Sequence, residues 1–281
     1  MLKSLRRVAV RAVKPLVSDD VWSRLRRVAS RPTPTPTPTP TEKVQPTDAA
    51  PGKAPLPQSL PALAKHFGTD KWGRHRYAKH YQTHLKRFRD EPLTLLEIGI
   101  GGYRHEASGG ASLRMWREYF SRAQIIGLDI YDKSFVNGDR ILAYQGSQTD
   151  EALLQKIVDT HGPIKIIIDD GSHVPEHIRA SFAILFPLLE DGGVYAIEDT
   201  QTSYWPRWGG AVDLDDPLTT MALVKDLVDG LNYEEFGDEQ PRNYSDAHIV
   251  AVHCYHNLVI LEKGSNREGG SRPKNWATLR D

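Results

Sequence analysis

An α/β fold, doubly wound about a mostly parallel seven-stranded sheet that ends in an antiparallel hairpin, is what the sequence predicts. Three observations predict it. Apolar runs rich in Ile, Leu and Val recur at Leu95, Ile125, Ile141, Ile164 and Val194, each short enough to be one strand. Helical patterns alternate with them, which is the rhythm of a parallel sheet. The run 95–103, LLEIGIGGY, passes from an apolar strand through Glu97 into a glycine cluster, the form of a strand that opens into a tight turn only backbone can fill.

The bulk numbers bound the function. With 281 residues, 39% hydrophobic and 26% charged, the chain buries the core of one domain once its ends are set aside. A formal net charge of zero gives no support to a nucleic-acid partner. The single cysteine, Cys254, excludes an internal disulfide framework and a thiolate metal site within one chain, and it points to a reducing, cytoplasmic setting. No apolar run reaches the length of a membrane span, and Arg11 and Lys14 interrupt what would be a signal core.

Taken in order, 1–31 carries nine Lys or Arg against Asp19 and Asp20, with apolar residues near helical spacing. It reads either as an arm that meets an anionic membrane surface at the inner face or a partner protein, or as a solvated extension. A strict Pro-Thr repeat at 32–41 begins a proline-rich stretch to 61, an extended spacer with no core of its own. The block 66–77, HFGTDKWGRHRY, with His80, Tyr81 and His84, is dense in aromatic, basic and imidazole groups. It reads either as a cover over an active site or as one buried helix face, since Tyr77, His80, Tyr81 and His84 share a face.

After the glycine turn the pattern gives a small-residue insertion, a helix over 112–121 and a strand over 125–129 that ends in Asp129. An acid at that strand end is placed to accept both hydroxyls of a ribose; its other reading is a turn cap. A strand at 141–144, a helix at 149–160, a strand at 164–168, a helix at 175–190, a strand at 193–197 and a helix at 217–231 follow. A hairpin of 247–253 and 257–262 closes the domain about a turn at Cys254 to His256. The expected organisation is an arm at 1–31, a linker at 32–61, a catalytic domain at 62–265 and a tail at 266–281.

Two adjacent strands deliver Asp169, Asp170, His173, Glu198 and Asp199 to the edge where the glycine turn lies. Four carboxylates so placed repel one another unless a positive charge neutralises them, and a divalent cation does so. Oxygen donors without thiolate favour Mg2+ over zinc. His173, three residues past Asp170, is positioned to take a proton from a hydroxyl bound there, or else to cap or pack its loop. His253-x-x-His256 is a rival metal pair, but it falls in a hairpin with no acid beside it and reads as structural. A non-haem iron site needs a second histidine in the acidic cluster, which the sequence does not place there.

In order along the chain, LLEIGIGGY, GLDIYD, IDDGSH and YAIEDT resemble the class I S-adenosylmethionine-dependent methyltransferases, and more narrowly the metal-dependent deoxysugar O-methyltransferases of macrolide biosynthesis. FGTDKWGRHRYAKHY is similar to that family as well, and the resemblance covers about Ala64 to Leu261. It implies a Rossmann-like methyltransferase fold with S-adenosylmethionine and Mg2+ as cofactors. By position it makes Asp170, Glu198 and Asp199 the metal ligands and His173 the general base. Glu97, Gly99, Gly101 and Tyr103 would line the cofactor, Asp129 would hold its ribose, and Asp169 would be a cofactor-side acid or lie one layer behind.

The reaction so implied is in-line methyl transfer to a sugar hydroxyl of a glycosylated natural product or polysaccharide, with S-adenosylhomocysteine leaving. Tyr204, Trp205 and Trp208 offer flat faces to a sugar, or pack their own loop. Two rivals remain: a phenol or catechol O-methyltransferase, and a non-catalytic cofactor-binding scaffold recruited by the basic arm. The arm and Pro-Thr spacer stand where larger relatives carry a folded domain, so the acceptor and the assembly, a homo-oligomer included, stay open.

Overall fold

The computed structural model describes residues 56–103, 105, 107–236 and 241–271, all within one unit, Ala49–Asp281. The expected arm at 1–31, most of the linker and most of the tail lie outside the described residues.

Two helices come first, α1 (Leu60–Phe67) and α2 (Tyr77–Leu85). The linker expected to run to 61 gives way slightly earlier, because Ser59 caps α1 and Leu60 is already buried. Then β1 (Thr94–Ile98), α3 (Ala111–Tyr119), β2 (Gln124–Asp129), β3 (Ile141–Gln145), α4 (Glu151–His161) and β4 (Ile164–Asp169) alternate. They are followed by α5 (Pro175–Leu188), β5 (Leu189–Glu198), α6 (Thr220–Gly230), β6 (Ile249–Tyr255) and β7 (Leu258–Lys263).

The seven strands form one sheet in the order β3-β2-β1-β4-β5-β7-β6. Strands β1 to β5 pair in parallel, and β7 runs antiparallel to both β5 and β6. Every residue of β1 is buried, as a central parallel strand covered on both faces must be. Its side chains alternate between two cores: Leu95 packs with Tyr81 and Trp116 beneath α1, α2 and α3, while Leu96 and Ile98 pack with Leu154, Phe182 and Leu223 beneath α4, α5 and α6. Each such Leu or Ile, fully buried, contributes about 1.5–3 kcal/mol.

The winding reverses between β1 and β4, which opens a crevice at the carboxyl ends of β1, β2, β4 and β5. Two boundaries differ from the sequence expectation. β5 begins at Leu189, not 193: Leu189 pairs with Ile164 across a register shift, and a bend through Gly192 at φ +75° absorbs the extra residues. The terminal hairpin turns at His256 and Asn257, not at Cys254. Cys254 is paired within β6, and Asn257, the second residue of the turn, takes the left-handed conformation at φ +63°, which asparagine tolerates.

Candidate active site

The glycine turn follows β1. Gly99 has φ +90°, and a Cβ there would stand 2.0 Å from the carbonyl oxygen of Asp170, so glycine alone lets the ends of β1 and β4 approach. Gly101, at φ +77°, has open space where a Cβ would be. The turn is held from beneath. Ile100 N–H donates to Asp129 Oδ2 at 2.9 Å, and the buried Lys133 Nζ donates to the carbonyls of Tyr103, His105 and Ser108 at 2.7 to 3.0 Å.

Asp129 stands at the end of β2 as expected, and it also caps a turn, accepting from Tyr131 N–H at 2.9 Å. Each carboxylate oxygen, with two lone pairs, retains acceptor capacity beyond these bonds. Tyr103, at the end of the glycine turn, is 81% exposed. Of the two readings of Asp169, its contacts favour the one that sets it a layer behind. It is fully buried, its oxygens accepting from Ser181 Oγ at 2.5 Å and Gln148 Nε2 at 3.1 Å, so it braces the loop after β4 from behind.

The next residue, Asp170, points the other way into the crevice, as alternation at a strand end dictates. His173 follows in a left-handed conformation at φ +56° and brings Nε2 to 3.7 Å from Asp199 Oδ2. Asp199 is itself left-handed at φ +52°, where β5 breaks into the short helix Thr200–Tyr204. Two adjacent residues in such strained conformations on neighbouring loops are what an aimed site looks like. Ligand atoms of Asp170, His173 and Asp199 all lie within 4.8 Å of one another.

Glu198 does not join that group. Its Oε1 accepts from Tyr81 OH and from Lys71 Nζ, both at 2.7 Å. Lys71 is fully buried and also reaches Asp170 Oδ2 at 2.7 Å and Glu97 Oε1 at 3.2 Å. Part of the neutralising charge that the sequence assigned wholly to a cation is therefore a lysine. The turn between α1 and α2 aims it: Gly68 ends α1 in a left-handed cap, and Thr69 Oγ1 accepts from Lys71 N–H at 3.1 Å.

Tyr77 OH donates to Asp199 Oδ1 at 2.7 Å, with His75 Nδ1 at 3.6 Å from the same oxygen. Of the two readings of the segment 66–84, the buried helix face is present over α2. Tyr77, Tyr81 and His84 form a buried helix face, and Tyr77 and Tyr81 of that face reach Asp199 and Glu198.

Burial works against the charge on Lys71, but Asp170, Glu198 and Glu97 together outweigh it and hold its pKa well above the usual lysine value. Burial and the nearby Asp170 push Glu198 well above the carboxylate range, and burial raises Asp170 and Glu97 too. Asp199 goes the other way: burial opposes its charge, yet the Tyr77 hydroxyl and the flanking His173 and His75 bring it below the ordinary value. The role of Lys71 was missed by sequence reasoning, which placed Tyr77 and Tyr81 in a segment that covers a site or packs as a helix face. The signal for the lysine was the demand of four carboxylates for positive charge.

The rival pair also changes. His253 does have an acid beside it, Glu262 of β7 at 3.0 Å, and its histidine partner is His84 of α2, not His256.

No family model matches the chain. The chain is 47% identical over 215 residues to demethylmacrocin O-methyltransferase of Streptomyces fradiae, and 45% identical over 215 residues to mycinamicin VI 2''-O-methyltransferase of Micromonospora griseorubida. Each match covers 75% of this chain and 54% of the relative. Among solved structures it superposes on MycE methyltransferase from the mycinamycin biosynthetic pathway, in complex with Mg, SAH and mycinamycin VI, with a TM-score of 0.75 and 44% identity over 79% of this chain and 58% of that one. Along the aligned region the chain is a homologue of these O-methyltransferases. It spans about half the length of the curated relatives it matches. The sheet is as expected, a Rossmann-like methyltransferase fold closed by its antiparallel hairpin.

Proposed function

We propose that the chain is an S-adenosylmethionine- and Mg2+-dependent O-methyltransferase acting on a sugar hydroxyl of a glycosylated natural product. The observation that carries this reading is the convergence of Asp170, His173 and Asp199 within 4.8 Å at the edge where the glycine turn and Asp129 also lie.

The residues fit both groups. Gly101 leaves open backbone where a cofactor approaches, and Asp129 stands beyond β2 with acceptor capacity for a ribose. Glu97, Asp170 and Glu198 face Lys71, with Asp199 beside His173 at the same edge, and the negative charge left over matches a divalent cation with a sulfonium beside it. Asp170 and Asp199 would hold the cation as hard oxygen donors, with Glu198 beside Lys71 completing the acidic wall. When bound, the two groups supply a more acidic acceptor hydroxyl and an electrophilic methyl.

His173 Nε2 takes the hydroxyl proton, and Asp199, beside that nitrogen, steadies the imidazolium as it forms. Tyr77 fixes the Asp199 carboxylate, and Lys71 keeps Asp170 and Glu198 from repelling one another. Trp208, with its ring 6.2 Å from that of His173, and the exposed Tyr204 and Trp205 offer faces for the acceptor's sugar ring.

Among the described residues no helix is long and apolar enough to cross a membrane. A cytoplasmic enzyme, whose basic arm at 1–31 meets an anionic membrane surface or a partner protein, is the setting proposed with this reading.

Methyl transfer by the purified full chain from radiolabelled S-adenosylmethionine to a panel of glycosides and catechols tests it. Turnover on glycosides, abolished by EDTA and restored by Mg2+, is expected. Turnover on catechols alone, or undiminished in excess EDTA, overturns it.

A further inference from the structure

We propose a second metal site, built from His84 of α2, His253 of β6 and Glu262 of β7, that takes one Zn2+ and pins α2 to the terminal hairpin. The three ligand atoms lie within 4.8 Å of one another: His253 Nε2 is 3.0 Å and His84 Nδ1 is 3.6 Å from Glu262 Oε1. Zinc held by bonds of about 2.0–2.2 Å keeps its tetrahedral ligands at separations of this order, so little movement is needed to close the site.

The surroundings have the form of a metal site's outer layer. His84 Nε2 is 2.8 Å from Tyr255 OH, which fixes the ring so that Nδ1 faces Glu262. Arg87 Nη2 takes Glu262 Oε2 at 2.7 Å, which leaves Oε1 to the two imidazoles. The two rings lie with centroids 4.2 Å apart and inclined by 47°, so they converge on one point and do not stack flat. His253 and Glu262 lie two positions apart across the β6–β7 ladder and so share a face, against which α2 lays His84.

Two imidazoles and one carboxylate select zinc over Mg2+, whose preference is for oxygen alone. The cation replaces the proton that His253 Nε2 shares with Glu262, so binding releases a proton and weakens in acid. The fourth position is left to water. The site is separate from Asp170, His173 and Asp199, but it acts on the helix that covers them, since Tyr77 and Tyr81 of α2 reach Asp199 and Glu198.

Metal-free full chain titrated with Zn2+ by calorimetry in excess Mg2+, and with Co2+ by visible absorption, tests the proposal. One equivalent of Zn2+ is expected, with a tetrahedral-intensity Co2+ spectrum and a raised Tm. His253→Gln and, separately, Glu262→Gln should each weaken Zn2+ binding at least tenfold while far-UV circular dichroism stays unchanged. Asp170→Asn should leave it intact. Absence of Zn2+ binding to the native chain, or binding that survives His253→Gln and is lost in Asp170→Asn, overturns the site. The proposal does not depend on the methyltransferase reading, and none of these readouts uses activity.

Discussion

Lys71 Nζ stands 2.7 Å from Glu198 Oε1, with both side chains sealed from water. A buried ion pair of this kind is a weak source of net stability, because desolvation of the two charges offsets their attraction. Breaking it is another matter. Among the described residues Lys71 is the lysine that stands among Glu97, Asp170 and Glu198, so Lys71→Met leaves these buried carboxylates without its charge. A loss of about 3–5 kcal/mol in urea unfolding is expected. Part of it should return on adding Mg2+, which neutralises the same acids. A loss under about 1 kcal/mol would show that the acids simply take up protons instead.

His173 is placed to accept a proton and to do little else, since its Nδ1 is buried without a hydrogen-bond partner among the described residues. His173→Asn keeps a side chain that tolerates the left-handed backbone there. Its kcat should fall by about 10²–10⁴-fold, the usual worth of a positioned general base. S-adenosylmethionine affinity, read by calorimetry, should stay unchanged. Near-normal turnover would move the base elsewhere.

Two glycines of one turn should fail differently. Gly99→Ala drives a Cβ into the Asp170 carbonyl at φ +90°, so it costs stability, about 3 kcal/mol or more, and displaces Asp170, the proposed metal ligand, as well. Gly101→Ala meets no protein atom within 4 Å and pays only for its backbone, about 1–2 kcal/mol. What it should lose is cofactor, with at least a tenfold weaker Kd, because the added methyl occupies the space a cofactor approaches. Urea midpoints and calorimetric titrations of both variants separate the two effects. Equal Kd for Gly101→Ala and wild type would remove that face from the cofactor site.

The strand ends carrying Asp129, Asp170 and Asp199 were legible because an apolar run states its own direction, and acids at its carboxyl end fall on one edge of a parallel sheet. The same logic could not tell Asp169 from Asp170. Which of two adjacent acids faces the crevice depends on the pleat, and only the buried contacts of Asp169 to Ser181 and Gln148 decide it. Lys71 was hidden for a different reason: its partners lie 99 and 127 residues away, beyond any local pattern. His84, His253 and Glu262 meet through a helix packed on a hairpin, so the spacing of His253 and His256 pointed to the wrong partner.

Acid should weaken the fold well above the carboxylate range. His80, His84, His161 and His248 are each held below the ordinary imidazole value, in every case first by burial. For His84, the charge of His253 adds to this. Unfolded, the four take up protons near pH 6.5, while the folded chain still refuses them. The unfolded state therefore binds more protons in that window, and stability rises with pH there and is lost as pH falls through it. Metal-free protein should show a falling urea midpoint from pH 7.5 to pH 5.5. His161→Gln with His248→Gln removes two of the four imidazoles, both outside the candidate site, and should flatten that slope while lowering the midpoint at pH 7.5, because contacts to Tyr144 and Tyr244 are lost. A slope identical to that of the native chain would place the acid sensitivity elsewhere.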